Sequence, residues 1–244
     1  MTKSPTITLL IPTYNEVEGL KLTLPRIDQS LFDDIVLIDG NSKDGTVEYA
    51  LENNLRVITQ LRKGLAFAVY DAIKTLKTDY VIEFSPDNNC IPEQLSEIVD
   101  KIREGYDLVV VSRYLPPAKS EDDGLITAFG NWMFTTAIRF LGKFPVTDAL
   151  TIYRGYRCNL INKYDFDKYL TDAIFEPLVS AIGNLHNVKY CEIPGDEPKR
   201  IGGESKMRVI YAGSRIALMI IRLYIKKFTM LFWSKEKKLA YVAN

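Results

Sequence analysis

The chain has 244 residues, 47% of them hydrophobic, and its 31 basic and 31 acidic side chains give a formal net charge of zero. This length suffices for one large domain with a substantial core, and the balanced charge gives no reason to expect nucleic acid as a partner. The 3 cysteines lie far apart, without the spacing of a zinc site, which excludes a disulfide framework and indicates a reducing compartment.

The hydrophobic stretches do not resemble a secretory signal or a membrane-spanning helix. The opening residues, MTKSPTITLLIP, lack the long apolar core and small-residue cleavage pattern of a signal peptide. The stretches 125–141 and 209–233 both contain arginine before about 18 apolar residues have accumulated. We therefore expect a cytoplasmic protein, either free or peripheral on the inner face of the membrane.

The first half of the chain alternates short apolar runs with helical patterns. Strands are predicted over 6–11, 34–38, 56–58 and 80–84, and helices over 20–27, 46–51, 65–76 and 95–102. Successive strand–helix units of this kind build a parallel, doubly wound sheet, so the predicted fold class is α/β. No GxGxxG follows the first strand and no GxxxxGKS or GxxxxGKT occurs, which argues against a nicotinamide dehydrogenase or a P-loop NTPase.

Polar residues follow the predicted strands at the points where they end. They are the segment 12–16, Asp39, Lys63 and Asp87. In a parallel sheet these positions lie along one edge, where open α/β sheets bind ligands. Asp39 can accept hydrogen bonds from a nucleoside, and the turn 87–89 offers the oxygen atoms that hard cations prefer. The alternative for Asp87 is a turn residue without a metal.

The second half contains two further predicted strands, 108–111 and 189–194, separated by longer segments. The prolines at 116 and 117 and the segment Glu121-Asp122-Asp123-Gly124 indicate a mobile loop. The uncharged helical stretch that follows is either a core helix or a surface that touches lipid or another subunit.

Two later segments carry candidate chemistry. The segment 172–182 is predicted to be helical, which would place Asp172 and Glu176 one turn apart on the same face. The loop 199–207 contains Arg200, Lys206 and two glycines, a composition that can bind an oxyanion. A solvated loop without a ligand is the alternative.

Seven short motifs occur in the order found in a known enzyme family. They are IPTYNE (11–16), DGNSKDGT (39–46), RKGLAFA (62–68), FSPDNNCIP (84–92), VSRY (111–114), TIYRGYR (151–157) and KRIGGESKM (199–207). Together they resemble glycosyltransferase family 2, especially its dolichyl or polyprenyl phosphate mannose synthase branch. The resemblance implies a GT-A fold over 1–207, with a Rossmann-like, mostly parallel sheet flanked by helices. The remaining residues, 208–244, are expected to form a C-terminal amphipathic helical extension.

The resemblance also assigns roles to individual positions of this chain. It implies nucleotide-sugar contacts at Pro12, Tyr14, Glu16, Asp39, Lys63 and Asp87, and acceptor or phosphate contacts at Arg113, Arg200, Ser205 and Lys206. Asp87 matches the second acid of the family's Asp-x-Asp motif, and Asn89 matches a further oxygen ligand for Mg²⁺ or Mn²⁺. The first acid of that motif is replaced by Ser85, so the implied metal site would hold one carboxylate.

Two more departures bear on the substrates. Gly40-Asn41 stands where many members have Asp-Gly, and the segment Glu121-Asp122-Asp123-Gly124 stands where the branch usually carries an arginine. An acidic segment is a poor site for a lipid phosphate. The acceptor therefore stays open between a lipid phosphate and a hydroxyl group.

The predicted activity is inverting transfer of a sugar from a UDP- or GDP-linked donor to a lipid-linked or glycan acceptor, with polyprenyl phosphate among the candidates. A hydroxyl acceptor would need a general base, for which we select Glu176 first and Asp172 second. The apolar and basic residues 209–233 fit a helix on an anionic membrane, or one that packs against the catalytic domain or another subunit of a homo-oligomer. A sugar-nucleotide nucleotidyltransferase and a non-catalytic module that binds nucleotide sugar or lipid are the alternatives.

Overall fold

A computed structural model of the chain describes residues 4–201 and 208–242. Its sheet contains β1 (Ile7–Thr13), β2 (Asp34–Asp39), β3 (Arg56–Thr59), β4 (Tyr80–Glu83), β5 (Leu108–Ser112), β6 (Arg154–Arg157) and β7 (Tyr190–Pro194). The strand order is β3-β2-β1-β4-β6-β5-β7. Only the pairs that β6 makes with β4 and β5 are antiparallel, so the predicted α/β fold with a mostly parallel sheet is confirmed.

Helices cover both faces of this sheet. They are α1 (Val17–Thr23), α2 (Thr46–Glu52), α3 (Leu65–Thr75), α4 (Leu95–Arg103), α5 (Leu125–Arg139), α6 (Cys158–Lys163), α7 (Glu176–Leu185) and α8 (Val209–Val242). Because successive side chains of a strand point to opposite faces, the central strands contribute to two cores. Leu10 and Val81 pack with α3, α6 and α7, whereas Leu9 and Ile82 pack with α1 and α4. Fully burying one such side chain stabilises the fold by about 1.5–3 kcal/mol.

The prediction of a helix over 172–182 is wrong at its N-terminal end. The helix α7 begins at Glu176, and Asp172 lies in the turn before it. Pro177 explains the difference, since its ring would clash with the carbonyl group of residue 173 if the helix extended further back. Asp172 and Glu176 therefore do not share a helix face.

The strand β1 extends two residues beyond its predicted end and includes Pro12, which is buried at the edge of the site. The helix α8 has apolar residues on two sides: Ile216 and Leu223 are buried in the core, whereas Ile221 and Ile225 are exposed. Among the described helices, none is long and apolar enough to cross a membrane. The division into units 1–207 and 208–244 stays a prediction.

Candidate active site

The loops that follow β1 and β2 are joined by hydrogen bonds. The backbone N–H of Asn15 donates to Ser42 Oγ over 2.9 Å, and the N–H of Lys43 donates back to Asn15 Oδ1 over 2.8 Å. Asp39 is buried, and its two carboxylate oxygens accept from the N–H groups of Asn41 and Ser42, each over 3.0 Å. Asp39 therefore fixes the shape of the second loop.

Three other residues that are predicted to contact the nucleotide sugar lie around these two loops. Tyr14 is 48% exposed, and the N–H of Glu16 donates to Thr46 Oγ1 over 3.0 Å. Lys63 is exposed just before α3, and the neighbouring Gly64 approaches Asp172 so closely that an added Cβ would lie 2.8 Å from its Cβ. Parallel strands thus bring the predicted donor-binding loops to one edge of the sheet.

Asp87 lies in the turn after β4, at the same edge. Its Oδ1 accepts from the N–H of Asn89 over 3.2 Å, and its carbonyl oxygen accepts from the N–H of Ile201 over 2.8 Å. Asn89 in turn donates from Nδ2 to the carbonyl oxygen of Pro198 over 2.8 Å. The turn is thereby fixed to Pro198 and to the first residues of the predicted basic loop, while Ser205 and Lys206 lie outside the described residues.

A cleft of about 650 Å³ opens beside this turn. Asp87 and Asn89 line one part of it, and Ile126, Phe134 and Ile216 contribute apolar wall from α5 and α8. Its acidic lining residues are Asp87, Asp122, Asp123, Glu176, Asp196 and Glu197, and its basic ones are Arg113 and Arg200. The lining therefore carries more potential negative than positive charge.

Arg113 is held inside this acidic group. Its Nε lies 2.7 Å from Asp148 Oδ2, and its Nη1 lies 3.0 Å from Glu197 Oε1 and 3.7 Å from Asp123 Oδ2. Burial opposes the charge, but Asp148 and its other carboxylate neighbours raise the pKa of Arg113 well above its ordinary value. Arg113, which is predicted to bind a phosphate, is thus already paired with carboxylates of the protein. Sequence reasoning did not identify Asp148 and Glu197 as its partners.

Glu176 lies at the N-terminus of α7 and lines the cleft. Its Oε1 atom is buried and has no hydrogen-bond partner among the described residues. Burial raises the pKa of Glu176, with Arg154 acting in the opposite direction. Arg154 is fully buried and donates from Nη1 to the backbone carbonyl of Glu176 over 2.7 Å. It therefore fixes the position from which Glu176 reaches the cleft.

Sequence reasoning did not single out Arg154 or its neighbour Glu83. These two residues are opposite each other in the antiparallel pair of β4 and β6. The signal that could have found them was a charged residue inside an otherwise apolar strand pattern, since such residues are rarely buried without a partner.

Asp87 and Asn89 can hold a divalent cation on the chemistry of their atoms. Both offer oxygen donors, and a cation, the guanidinium of Arg200, already lies 3.9 Å from Asp87 Oδ2. Among the described residues, no group of three or more His, Cys, Asp or Glu side chains forms a complete metal site. Mg²⁺ and Mn²⁺ can keep waters and use substrate phosphates as ligands, so a small protein donor set suffices.

Known proteins resemble this chain in sequence and fold. An undecaprenyl-phosphate mannosyltransferase from Micrococcus luteus is 28% identical over 81% of this chain and 86% of its own length. A dolichol-phosphate mannosyltransferase from Pyrococcus furiosus is also 28% identical, over 83% of this chain, which spans 59% of that relative's length. Glucosyl-3-phosphoglycerate synthase from Mycobacterium tuberculosis, solved with Mn²⁺ and UDP, shares the fold with a TM-score of 0.65 at 18% identity, covering 91% of this chain and 80% of its own.

The family assignment rests on a match that covers more than half of the chain. The sequence model described as Glycosyl transferase family 2 matches residues 8–165, which include β2 to β6, all but the first residue of β1, and the turn that carries Asp87. The two mannosyltransferase relatives, together with the family match, decide against the nucleotidyltransferase and non-catalytic alternatives. This chain belongs to glycosyltransferase family 2 and is a glycosyltransferase.

Proposed function

We propose that this glycosyltransferase moves a sugar from a nucleoside diphosphate sugar to a lipid-linked acceptor, with inversion at the anomeric carbon and polyprenyl phosphate as the first candidate acceptor. The observation that carries the proposal is the composition of the cleft. It joins the polar turn of Asp87 and Asn89 to an apolar wall from α5 and α8.

The donor end is formed by the loops that follow the parallel strands. The interlocked loops around Asn15 and Ser42 would hold the nucleoside, with Pro12, Tyr14, Glu16 and Asp39 as its proposed contacts. Asp87 lies at the carboxyl end of β4, where the pyrophosphate would follow. A divalent cation on Asp87 and Asn89 would neutralise charge on the leaving nucleoside diphosphate. Lys63 and Arg200 are the proposed cationic groups beside it.

The charge of the cleft supports a requirement for that cation. Because Arg113 is already surrounded by Asp148, Glu197 and Asp123, its charge is largely matched before any substrate binds. A pyrophosphate and a lipid phosphate would add further negative charge to an acidic lining. A divalent cation would offset this charge more effectively than the arginines that remain available.

The apolar wall supports a lipid-linked acceptor. Exposed apolar residues continue from the cleft along α5 and α8: Leu125, Ile126, Phe129, Trp132 and Met133 on α5, and Leu218, Ile221, Ile225 and Phe228 on α8. Exposed apolar stripes of this kind, together with Arg222 and Lys227, suit the boundary of an anionic membrane. The related mannosyltransferases are named for undecaprenyl phosphate and dolichol phosphate.

A hydroxyl acceptor is the second candidate, and one observation favours it. Glu176 lines the cleft with an oxygen that has no hydrogen-bond partner among the described residues, which is what a general base for a hydroxyl would require. Asp172 is a weaker choice because its Oδ1 accepts a hydrogen bond from the hydroxyl of Tyr211 over 2.8 Å. A phosphate acceptor is already ionised and needs no base.

The test is a transfer assay with labelled UDP- and GDP-sugars, Mn²⁺, and either polyprenyl phosphate or the matching polyprenol. We expect transfer to the phosphate, and a loss of at least about 100-fold in kcat/KM for Asp87→Asn. Asp100→Asn, which changes an exposed carboxylate paired with Arg103, is the matched control. Transfer only to the alcohol, abolished by Glu176→Gln, would favour the second candidate. Absence of transfer from every donor would refute the proposed activity.

A further inference from the structure

Arg200 lies between two carboxylates from distant parts of the chain. Its Nη2 is 2.6 Å from Asp122 Oδ2 and its Nε is 2.9 Å from the same oxygen, whereas its Nη1 is 3.9 Å from Asp87 Oδ2. Asn89 lies beside Asp122, and all four residues line the same cleft. The guanidinium is therefore a cation surrounded by the oxygen-bearing side chains of three segments.

Ser85 leaves this group one acid short of the family's usual pair. Its side chain is a neutral hydroxyl, and its backbone N–H points to Cys90 Sγ at 3.4 Å. A hydroxyl cannot neutralise a divalent cation, so Asp87 would be the one carboxylate of the motif. Asp122 comes from the acidic loop that departs from the family pattern, and it brings a second carboxylate to the other side of the same cation.

We propose that Asp122 supplies the second carboxylate of the divalent-cation site in place of Ser85, and that Arg200 occupies this site until the metal binds. The proposal rests on the proposed function, since it deepens the metal site of the same cleft. It also gives Asp122, in the acidic segment 121–124, a role that a lipid phosphate site would not.

Hydrogen bonds connect the segments that carry Asp87, Asp122 and Arg200. Asn88 Nδ2 donates to the carbonyl oxygen of Lys199 over 2.9 Å, which joins the turn to the segment of Arg200. On the other side, the N–H of Glu121 donates to the carbonyl oxygen of Glu197 over 2.8 Å. The predicted mobile loop is thus anchored to the segment that carries Arg200, and Asp122 and Asp87 lie 2.6 Å and 3.9 Å from the same guanidinium.

The fit of the guanidinium is uneven, which favours exchange with a metal. It is tight at Asp122 and loose at Asp87, and its single charge leaves the two carboxylates with one uncompensated negative charge. A divalent cation matches both carboxylates and binds oxygen at about 2.0–2.2 Å. Displaced by the metal, Arg200 becomes available to a phosphate group, which arginine binds through two parallel hydrogen bonds.

The experiment measures Mn²⁺ binding to the full chain without nucleotide, from the loss of the electron paramagnetic resonance signal of free Mn²⁺. We compare the natural chain with Asp122→Asn, Arg200→Gln and the double variant. Arg200→Gln should bind Mn²⁺ about 10-fold more tightly, because the competing cation is gone. In that background, adding Asp122→Asn should weaken binding by about 10-fold to 100-fold.

Asp196→Asn is the matched control, because Asp196 is an exposed acid of the same cleft that accepts a hydrogen bond from the N–H of Lys119. It should leave Mn²⁺ affinity unchanged within about 2-fold. Equal affinities for Arg200→Gln and the double variant would overturn the role of Asp122. Weaker binding by Arg200→Gln than by the natural chain would overturn the role of Arg200, and failure of every variant to bind Mn²⁺ would overturn both.

The binding measurement is independent of catalysis. The expected pattern of affinities without transfer from any sugar donor would reject the proposed function and leave the metal site standing. Sugar transfer without the expected pattern of Mn²⁺ affinities would reject the proposed metal site and leave the proposed function standing. Melting temperatures of the five proteins verify that each variant is folded.

Discussion

Glu83 is an acid buried inside the sheet. Its Oε1 accepts a hydrogen bond from the hydroxyl of Tyr156 over 2.6 Å, and its Oε2 has no partner among the described residues. Burial, reinforced by the nearby Glu176, raises the pKa of Glu83 to about 8. The side chain is therefore mostly a neutral carboxylic acid at neutral pH.

This protonation predicts how stability depends on pH. An acid whose pKa is raised on folding binds more protons in the folded than in the unfolded state, so its contribution falls as pH rises between the two pKa values. The substitution Glu83→Gln should remove this loss of stability with rising pH, because glutamine does not titrate. We expect the variant to gain on the order of 1–3 kcal/mol in free energy of unfolding, relative to the natural chain, between about pH 5 and about pH 8.

Urea unfolding followed by circular dichroism at a series of pH values measures this difference. Glu48→Gln, on the exposed side of α2, is the control and should show no such trend. A difference between Glu83→Gln and the natural chain that stays constant with pH would contradict a neutral Glu83.

Some site residues could be predicted from the sequence, and others could not. Asp87 and Asn89 follow an apolar strand directly, so their place at the edge of the sheet is a local property of the sequence. The two hydrogen-bonded carboxylate partners of Arg113 are Asp148 and Glu197, which are 35 and 84 residues away along the chain. Such pairings depend on the sheet order, which apolar periodicity does not determine.

At the scale of elements, Arg154 connects β6 to α7. Its guanidinium donates to Ser180 Oγ over 2.8 Å, to the carbonyl oxygen of Glu176 over 2.7 Å and to that of Thr151 over 2.8 Å. These bonds satisfy a buried charge by fixing where the first turn of α7 lies against the sheet. The position of Glu176 in the cleft therefore depends on β6.

Arg154→Met should destabilise the fold by about 3–5 kcal/mol, because it leaves buried acceptors and Glu176 without their cation. Arg157→Met is the matched control on the same strand. Arg157 is 43% exposed and pairs with Asp107 at 2.6 Å, so its loss should cost less than about 1 kcal/mol. Equal losses of stability in urea unfolding would show that Arg154 is not the connection inferred here.

Gly19 in α1 touches the turn that carries Asp87. A Cβ at this position would clash with the carbonyl oxygen of Pro86 and would lie 3.4 Å from the Cα of Asp87. We expect Gly19→Ala to displace the turn and to lower kcat/KM for sugar transfer by about 10-fold to 100-fold. Mn²⁺ affinity should fall with it.

Gly130 in α5 provides the comparison for stability, since nothing lies within 4 Å of the Cβ it would gain. Alanine there should stabilise the protein by up to about 1 kcal/mol through helix propensity. A Gly19→Ala variant with unchanged transfer and Mn²⁺ binding would mean that the turn does not depend on its contact with α1.

The elements themselves were largely predictable. Strands buried on both faces form continuous apolar runs between turn residues, and the predicted strands β1, β2, β4 and β5 agree with this rule, whereas β3 is a partly exposed edge strand. The insertion of β6 antiparallel between β4 and β5 was not predictable, because the rule for strand–helix units concerns parallel neighbours. The start of α7 could have been predicted from Pro177, because proline is tolerated only in the first turn of a helix.

At the scale of the whole molecule, α5 and α8 together present an extended apolar surface. On α5, Leu125 is 93% exposed, and the exposed rings of Phe129 and Trp132 lie 5.7 Å apart. The two helices are joined where Tyr224 donates its hydroxyl hydrogen to the carbonyl oxygen of Ala137 over 2.8 Å. An exposed apolar area on two packed helices is typical of a binding surface for lipid or protein.

If the surface contacts a membrane, Phe129→Ser combined with Trp132→Ser should lower binding to phosphatidylglycerol vesicles by at least about 10-fold, because each ring contributes more than about 1 kcal/mol of burial. Flotation of the full chain with vesicles measures this loss. Moderate salt should weaken the binding only in part, since screening acts on the basic residues and not on the rings.

Leu61→Ser is the matched control, because Leu61 is 92% exposed but lies on the loop before α3. It should leave flotation unchanged. Equal flotation of the double variant and the natural chain would indicate that the surface contacts another protein or a second copy of this chain.

The two-sided helix α8 has a mechanical consequence. Ala212 and Ile216 line the cleft, while Leu218 and Ile221 face outward from the next turns of the same helix. Because an α-helix is stiff over this length, a contact that moves its outward-facing residues also moves the residues that line the cleft. If the outer side of α8 rests on a membrane, that contact would also influence the width of the cleft, and we expect turnover measured with vesicles to differ from turnover in free solution.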